Sequence, residues 1–387
     1  MNIKNKTTRN SLICYFVIMA LFVTIRLLSS FGVLDFLGSV GNYIANAFVQ
    51  IGILFTISVF MFSGLQKSKP KDILRFYGFK KMSWKAVLYS FLLGIVVYIL
   101  NVFVVTFFRV VLTALGYTYS TGSTITSYPF WLLIVNLIVS AVLPAICEET
   151  AHRGMLLRGL SNKGAMKSIV ISSLLFGLMH LNIEQFFYAT IIGLLLGTIT
   201  MFCDTIYPAI IIHFMNNALS TFMTFSSVNN LGFDGMFNWI NFNLVNNPVT
   251  AILFIICLIT LLIFALIFLF KRIYRETAVK RIHMLQEALF TEVMRSTYYE
   301  ELREISNQDG MQVGDSEDEE IEKKEKEFDK IFQTKAIDTG NASELSNAIM
   351  MEDEPYKPDK LSNILLTMCI VLTAAVTLMT FIWGVLW

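Results

Sequence analysis

Four polar side chains that could hydrolyse an amide bond lie within apolar stretches of the sequence: Glu148, His180, His213 and Asn217. A carboxylate in a largely apolar cavity can deprotonate a water molecule as a general base, with a neighbouring histidine holding that water. Donors four residues apart on one helix face can hydrogen-bond the oxyanion of a tetrahedral intermediate. We therefore expect Glu148 to act as the base and His180 to orient the water. His213 and Asn217 would bind the oxyanion.

Three further residues are expected to support the site without taking part in the reaction. Glu149 and Arg153 are four residues apart in LPAICEETAHRG, so their side chains share a helix face and are expected to form an ion pair. That pairing would leave Glu148 able to carry a proton. Phe176 precedes His180 by four residues in LLFGLMHLN and would lie on the same helix face.

A turn between two apolar stretches predicts that Glu148 and His180 can meet. Asn162, Lys163 and Gly164 form a natural helix breaker. Glu148 and His180 each lie 16 residues from Gly164, one before it and one after it. At about 1.5 Å of rise per residue, both reach roughly 24 Å from the turn. This depth match favours a shared site over the alternative in which His180 only packs between helices.

The same residues leave a second mechanism open. Glu148, His180 and His213 have the side-chain types that coordinate zinc, which could activate the water instead. The sequence does not separate the two mechanisms, so the expected cofactor is either none or zinc. Gly193 and Gly197 form a G-x-x-x-G motif, which predicts close approach of two helices and no chemistry.

Composition indicates a membrane protein. Of the 387 residues, 55% are hydrophobic and only 15% are charged, and the formal net charge is +1. This balance gives no reason to expect a nucleic-acid partner. A hydrocarbon core about 30 Å thick needs about 20 apolar residues per helix. We therefore predict an all-α, polytopic transmembrane bundle of about eight to nine spans in contact with the lipid bilayer. The candidate spans lie near residues 11–31, 42–64, 85–112, 129–150, 168–182, 185–203, 206–226, 248–270 and 361–386.

The distribution of Lys and Arg predicts the orientation of these spans. Basic residues are concentrated in alternate connections, near 67–85, 153–167 and 271–275, and in the N-terminal segment. The other connections, near 32–41, 113–128 and 227–247, contain no Lys or Arg. Because cytoplasmic loops carry the excess of basic residues, the N-terminus is predicted to be cytoplasmic in a multi-pass protein of the cell membrane.

The chain divides into five predicted regions. Residues 271–360 differ from the rest, since they include the highly charged run DSEDEEIEKKEKEFDK and should form a charged, partly disordered cytoplasmic insertion that could bind a cytoplasmic partner. His283 lies there and is expected to be solvated. The regions are N-terminal spans at 1–128, a catalytic core at 129–226, a span with its preceding loop at 227–270, the charged region at 271–360 and a C-terminal span at 361–387.

Three motifs in order resemble those of the CAAX protease and bacteriocin-processing family, also termed CPBP or Abi, of intramembrane proteases. They are E-E-x-x-x-R from Glu148 to Arg153, F-x-x-x-H from Phe176 to His180 and H-x-x-x-N from His213 to Asn217. The likeness covers about residues 132–225. It departs from the family at His152, where an aromatic residue is common, and we treat this as a local variation; the alternative is that His152 reaches the site.

The resemblance to this family also implies a fold, an activity and a location for the protein. It implies a helical membrane fold with a cavity open toward the cytosol and lipid, proteolysis of a membrane-associated peptide or protein, and a bacterial plasma membrane as location. By position, Glu148 and His180 would be the catalytic pair, and His213 and Asn217 the oxyanion donors. Two rivals remain: a catalytically silent scaffold or bacteriocin-immunity factor of the same family, and a transporter that relays protons through these groups. Whether the substrate is prenylated is left open.

Overall fold

The computed structural model describes residues 3–33, 38–119, 128–282 and 360–386. These residues form helices and no strand, which confirms the predicted all-α bundle. The described residues up to Glu276 and residues 360–386 belong to one compact unit. Most of the predicted cytoplasmic insertion, including His283, lies outside the described residues.

Eleven helices are numbered in chain order, and two of them contain π-helical segments. Helix α2 runs from Gly38–Ala47 through the π-helical Phe48–Phe55 and Ile57–Met61 to Phe62–Gln66. Helix α5 comprises Phe130–Leu137, π-helical Ile138–Val142, Leu143–Glu149 and π-helical Thr150–Leu157. The others are α1 (Ile3–Ser30), α3 (Pro70–Phe76), α4 (Trp84–Ala114), α6 (Ala165–Met179), α7 (Ile183–Cys203), α8 (Tyr207–Val228), α9 (Gly235–Asn246), α10 (Pro248–Tyr274) and α11 (Lys360–Leu386).

Seven helices of the described residues are long and apolar enough to cross a membrane. They are Lys6–Ser29, Gly41–Gln66, Trp84–Ala114, Phe130–Leu157, Ile183–Cys203, Pro248–Ile282 and Lys360–Ile382. The other two predicted spans correspond to α6 and α8, which do not meet that measure. Helix α6 has only 15 residues. Helix α8 has 22 residues but carries a polar face, which is the face that holds His213 and Asn217.

Helices α6 and α7 form a close antiparallel pair at the centre of the compact unit. The chain turns between α5 and α6 at a 3₁₀ segment, Ser161–Lys163, followed by Gly164 with a φ of +92°. This confirms the predicted helix breaker. A Cβ added at Gly193 would lie 3.1 Å from the Cα of Ser173, so the G-x-x-x-G motif does allow the two helices to approach closely.

One end of the bundle gathers connections that are rich in Lys and Arg, and it is termed the basic end. Asp204, after α7, accepts from Lys80 Nζ at 2.6 Å and from Arg158 Nη1 at 3.0 Å. Ser83, before α4, donates to Glu276 at 3.1 Å. These contacts join the α3–α4, α5–α6, α7–α8 and α10 ends on one side of the unit.

The other end, termed the opposite end, is held by neutral contacts and a tyrosine–carboxylate hydrogen bond. Tyr117, after α4, donates to Glu184 in the first turn of α7 at 2.9 Å. The backbone N–H of Thr118 donates to the carbonyl of Gly384 in α11 at 2.7 Å. The two ends therefore alternate along the chain in the order that the predicted spans require.

Helix α11 packs against α1, α6 and α7. Thr380 Oγ1 accepts from the backbone N–H of Ile183 at 3.0 Å, and Asn182 accepts from the N–H of Glu184 at 2.9 Å. Both contacts satisfy donors in the first turn of α7, which have no partner within their own helix. The C-terminal helix thus fixes the segment that directly follows His180.

Candidate active site

Glu148 lies in α5 between two π-helical segments and is only 6% exposed. Its Oε1 accepts a hydrogen bond from Gln50 Nε2 of α2 at 2.8 Å. Its Oε2 lies 3.9 Å from His213 Nε2 and has no hydrogen-bond partner among the described residues. One carboxylate oxygen is therefore held by the protein, while the other can accept a proton.

Glu149 and Arg153 form the ion pair that their spacing predicts, and Glu149 has a second partner. Glu149 Oε1 accepts from Arg153 Nη1 at 2.9 Å and from His213 Nδ1 at 2.7 Å. Arg153 is 1% exposed, donates to the carbonyl of Gly193 at 3.3 Å and stacks over the ring of Phe176. The sequence analysis did not predict that Glu149 contacts His213.

This contact fixes how His213 can act. Because Glu149 Oε1 accepts from Arg153, it is an acceptor for His213 as well, and His213 Nδ1 carries the proton in that hydrogen bond. His213 Nε2 then points toward Glu148. In the neutral ring Nε2 is an acceptor, whereas in the imidazolium it is a donor. Hydrogen bonding from Nε2 to an oxyanion requires the imidazolium form of the ring.

His180 ends α6 rather than lying inside it. The helix stops at Met179, His180 caps it with φ −66° and ψ −14°, and Leu181 adopts a left-handed φ of +50°. The expectation of a fully helical F-x-x-x-H face is corrected to this extent. Because the cap residue keeps near-helical dihedrals, its ring still contacts Phe176 edge to face at 5.4 Å. No described residue accepts or donates a hydrogen bond at its side chain.

Asn217 belongs to a row of three amides. Asn101 Nδ2 of α4 donates to Asn216 Oδ1 at 3.2 Å, and Asn216 Nδ2 donates to Asn217 Oδ1 at 3.1 Å. This direction leaves Nδ2 of Asn217 as a donor. No described residue accepts from it, so it is available to a ligand.

A cavity of about 570 Å³ brings the four predicted residues together: its walls include Glu148, His180, His213 and Asn217. Glu148 and His180 thus share one cavity, as the hairpin depth predicts, although no hydrogen bond joins them. Phe176 also lines the cavity.

Glu149, Arg153 and His152 lie behind the cavity wall. His152 is fully buried, with Nδ1 2.9 Å from the Glu148 carbonyl oxygen and Nε2 3.3 Å from the Tyr15 hydroxyl. Its ring also packs against Phe176. His152 therefore supports the backbone of Glu148 and does not reach the cavity.

Sequence reasoning missed Gln50 and Asn216, which both line the cavity and are at most 8% exposed. Gln50 is the one amide within the apolar run FVQIGILF of α2. An isolated amide in such a run is itself a signal, because an unpartnered polar group in lipid is costly. Asn216 was not singled out, because its neighbour Asn217 is the residue that belongs to the H-x-x-x-N motif.

The alternative mechanism, in which zinc activates the water, requires several side chains placed to coordinate the metal. Among the described residues, no group of three or more His, Cys, Asp or Glu side chains is arranged to hold a metal ion. Glu149 binds His213 Nδ1 and Gln50 binds Glu148 Oε1, which leaves His213 Nε2 and Glu148 Oε2 as the atoms that would face a metal beside His180. No catalytic step is assigned to a metal below.

Comparison with known proteins agrees with the motifs. Residues 129–219 match the family model described as Rce1-like, type II CAAX prenyl endopeptidase Rce1-like. No curated protein and no solved structure matches the chain. The match includes all four candidate residues and supports a membrane endopeptidase. Residues 129–219 of this chain are therefore an Rce1-like type II CAAX prenyl endopeptidase domain of the CPBP family.

Proposed function

We propose that the protein is an intramembrane endopeptidase that hydrolyses a peptide bond of a membrane-associated peptide or protein. The observation that carries the proposal is Glu148, which is buried in the cavity wall and whose Oε2 has no hydrogen-bond partner among the described residues. His180, His213 and Asn217 line the same cavity and supply the other groups that amide hydrolysis needs. We place the protein in a bacterial plasma membrane, with its N-terminus in the cytoplasm.

In the proposed reaction, a water molecule is held between Glu148 and His180. Glu148 Oε2 takes a proton from the water as its oxygen attacks the carbonyl carbon, and the carbonyl electron pair moves onto the oxygen. His213 Nε2–H and Asn217 Nδ2–H stabilise the resulting oxyanion. When the oxyanion collapses, the C–N bond breaks, and Glu148 returns its proton to the leaving amine. No covalent intermediate with the enzyme forms.

Glu149 acts in this scheme as a positioning residue rather than as an acid or base. Its hydrogen bond to His213 Nδ1 orients the ring, and its contact with Arg153 holds the Glu149 side chain in place. This division of roles resembles the logic by which a buried carboxylate fixes the tautomer of a catalytic histidine.

The test compares membranes from cells that express wild type, Glu148→Gln or His180→Ala, with His283→Ala, in the predicted cytoplasmic region, as the matched histidine control. Mass spectrometry of peptide termini should find precursors that accumulate in the first two variants and are processed in wild type and in the control. Unchanged termini in both variants would favour the catalytically silent scaffold or immunity factor. The accumulated precursors would also reveal whether the substrate is prenylated.

Metal content separates the two hydrolytic mechanisms. We expect purified, active protein to contain no stoichiometric zinc and to keep its activity after treatment with a chelator. Stoichiometric zinc that is lost in Glu148→Ala, together with activity that follows the zinc content, would contradict the metal-free mechanism.

A further inference from the structure

The active-site cavity has a direction, because its walls are buried around the catalytic groups and mostly exposed toward one end of the helices that line it. Along α2, the wall runs from buried Gln50 through half-buried Asn46 to exposed Asn42. Along α8, it runs from buried His213 to exposed Ser220. Both helices become exposed toward the opposite end of the bundle, so the floor of the cavity is formed by catalytic groups and its mouth lies at the opposite end.

The basic end is closed beneath this floor. On α5, Glu148 is the wall residue nearest the basic end, and every residue of the following segment, Thr150–Leu157, is buried. On α1, the wall begins only at Phe22, whereas Leu12 and Tyr15, nearer the basic end, are fully buried. A peptide could therefore reach Glu148 from the opposite end without unpacking the core.

The mouth is polar as well as open. Asn42, Ser29 and Ser220 line it, and all three are exposed. Polar groups at the rim can hydrogen-bond the backbone of an extended peptide segment, while the apolar interior around Phe176 accommodates its side chains.

The charge distribution predicts which side of the membrane this mouth faces. Lys and Arg are concentrated in the connections of the basic end, whereas those of the opposite end, near 32–41, 113–128 and 227–247, contain none. Arg26 and Arg109 lie within α1 and α4, which lead to that end. Connections rich in Lys and Arg stay in the cytoplasm, so the mouth faces away from it.

We propose that the active-site cavity is reached from the non-cytoplasmic face of the membrane, so that the substrate is a membrane-associated peptide segment presented on that face. The access route follows from the cavity and the charges, and only the substrate class rests on the proposed function. This route is opposite to the cytosolic opening that the family resemblance implies.

Thiol labelling of the full chain tests the proposal. The background is Cys257→Ser, because the other four cysteines are buried. Three single-cysteine variants are compared: Asn42→Cys at the mouth, Lys71→Cys at the basic end and Val245→Cys on α9, where Val245 is 82% exposed. A membrane-impermeant maleimide is applied to sealed bacterial cells and to inside-out vesicles made from them, and the background protein serves as the blank.

We expect Asn42→Cys and Val245→Cys to be labelled in sealed cells, and Lys71→Cys only in inside-out vesicles. Labelling of Asn42→Cys only in inside-out vesicles, or in neither preparation while Val245→Cys reacts in sealed cells, would overturn the proposed route. Labelling needs no catalysis, so this outcome is distinct from a failure of the protease function, which Glu148→Gln reports separately.

Discussion

At the scale of single residues, Gln50 has the most direct influence on the proposed base. Its Nε2 donates to Glu148 Oε1, and its own Oε1 is buried at the cavity wall with no partner in the part of the chain that the structure describes. The amide can therefore orient the carboxylate and also accept a hydrogen bond from the substrate backbone. A residue that does both should matter for catalysis even though it carries no charge.

Gln50→Ala should lower kcat/KM by about 10- to 100-fold. A hydrogen bond to a charged group contributes about 1.5–3 kcal/mol, and each 1.4 kcal/mol of barrier is about tenfold in rate. The measurement is the hydrolysis of an identified substrate by purified protein. Gln66→Ala, at the far end of the same helix, is the control. Equal rates for the two variants would show that Gln50 does not act on Glu148.

Asn217→Ala should reduce kcat by about 10²- to 10³-fold, which is typical for the loss of one oxyanion donor. KM should change much less, because the oxyanion exists only after the water attacks. Asn246→Ala is the control, since Asn246 is exposed and donates to a carbonyl of its own helix. A rise in KM at constant kcat would instead assign Asn217 to substrate binding.

At the scale of helices, the buried ion pair connects α5 with its neighbours. Glu149 reaches His213 of α8, and Arg153 reaches the Gly193 carbonyl of α7. The pair thus sets the relative positions of α5, α7 and α8, two of which carry catalytic groups, and its loss should affect both stability and activity.

Arg153→Met should destabilise the protein by about 3–5 kcal/mol, because it leaves a buried carboxylate without its cation. Adding Glu149→Gln should recover much of this stability but not activity, since His213 would still lack its anionic partner. Thermal unfolding in detergent and peptide hydrolysis are measured on both proteins. If the double variant is as unstable as Arg153→Met, the stability comes from packing of the arginine rather than from charge.

Gly177→Ala tests the close contact of α6 and α7 beside His180. An added Cβ would lie 2.0 Å from Thr190 Oγ1 and 2.7 Å from the Phe186 carbonyl oxygen. The helices must separate, and such overpacking costs about 1–3 kcal/mol. Gly64→Ala is the control, since its added Cβ meets nothing within 4 Å. Similar melting temperatures for the two variants would contradict the tight packing.

At the scale of the whole molecule, the features that could be predicted from the sequence depend on local pattern. The length of each apolar stretch predicts the membrane spans, and Gly164 predicts the turn between α5 and α6. The four-residue spacing of Glu149 and Arg153 predicts their ion pair. The end of α6 before His180 could not be predicted. The spacing F-x-x-x-H is compatible with an uninterrupted helix, and nothing in it indicates the left-handed backbone of Leu181.

Contacts between distant helices could not be predicted either. Gln50 and Glu148 are 98 residues apart, and Glu149 and His213 are 64 apart. Such pairs depend on how each helix is rotated about its axis. In a membrane, a largely apolar helix gives little amphipathic signal for that rotation. The roles of residues 271–360 and of their expected cytoplasmic partner stay a prediction.

The most direct test of the central claim is hydrolysis of an accumulated precursor peptide by purified protein in proteoliposomes, with wild type and Glu148→Gln compared at equal folded concentration. The account predicts that wild type cleaves the peptide at one bond and that Glu148→Gln, with an unchanged melting temperature, gives no detectable product. Cleavage by Glu148→Gln at the wild-type rate would contradict the assignment of Glu148 as the base.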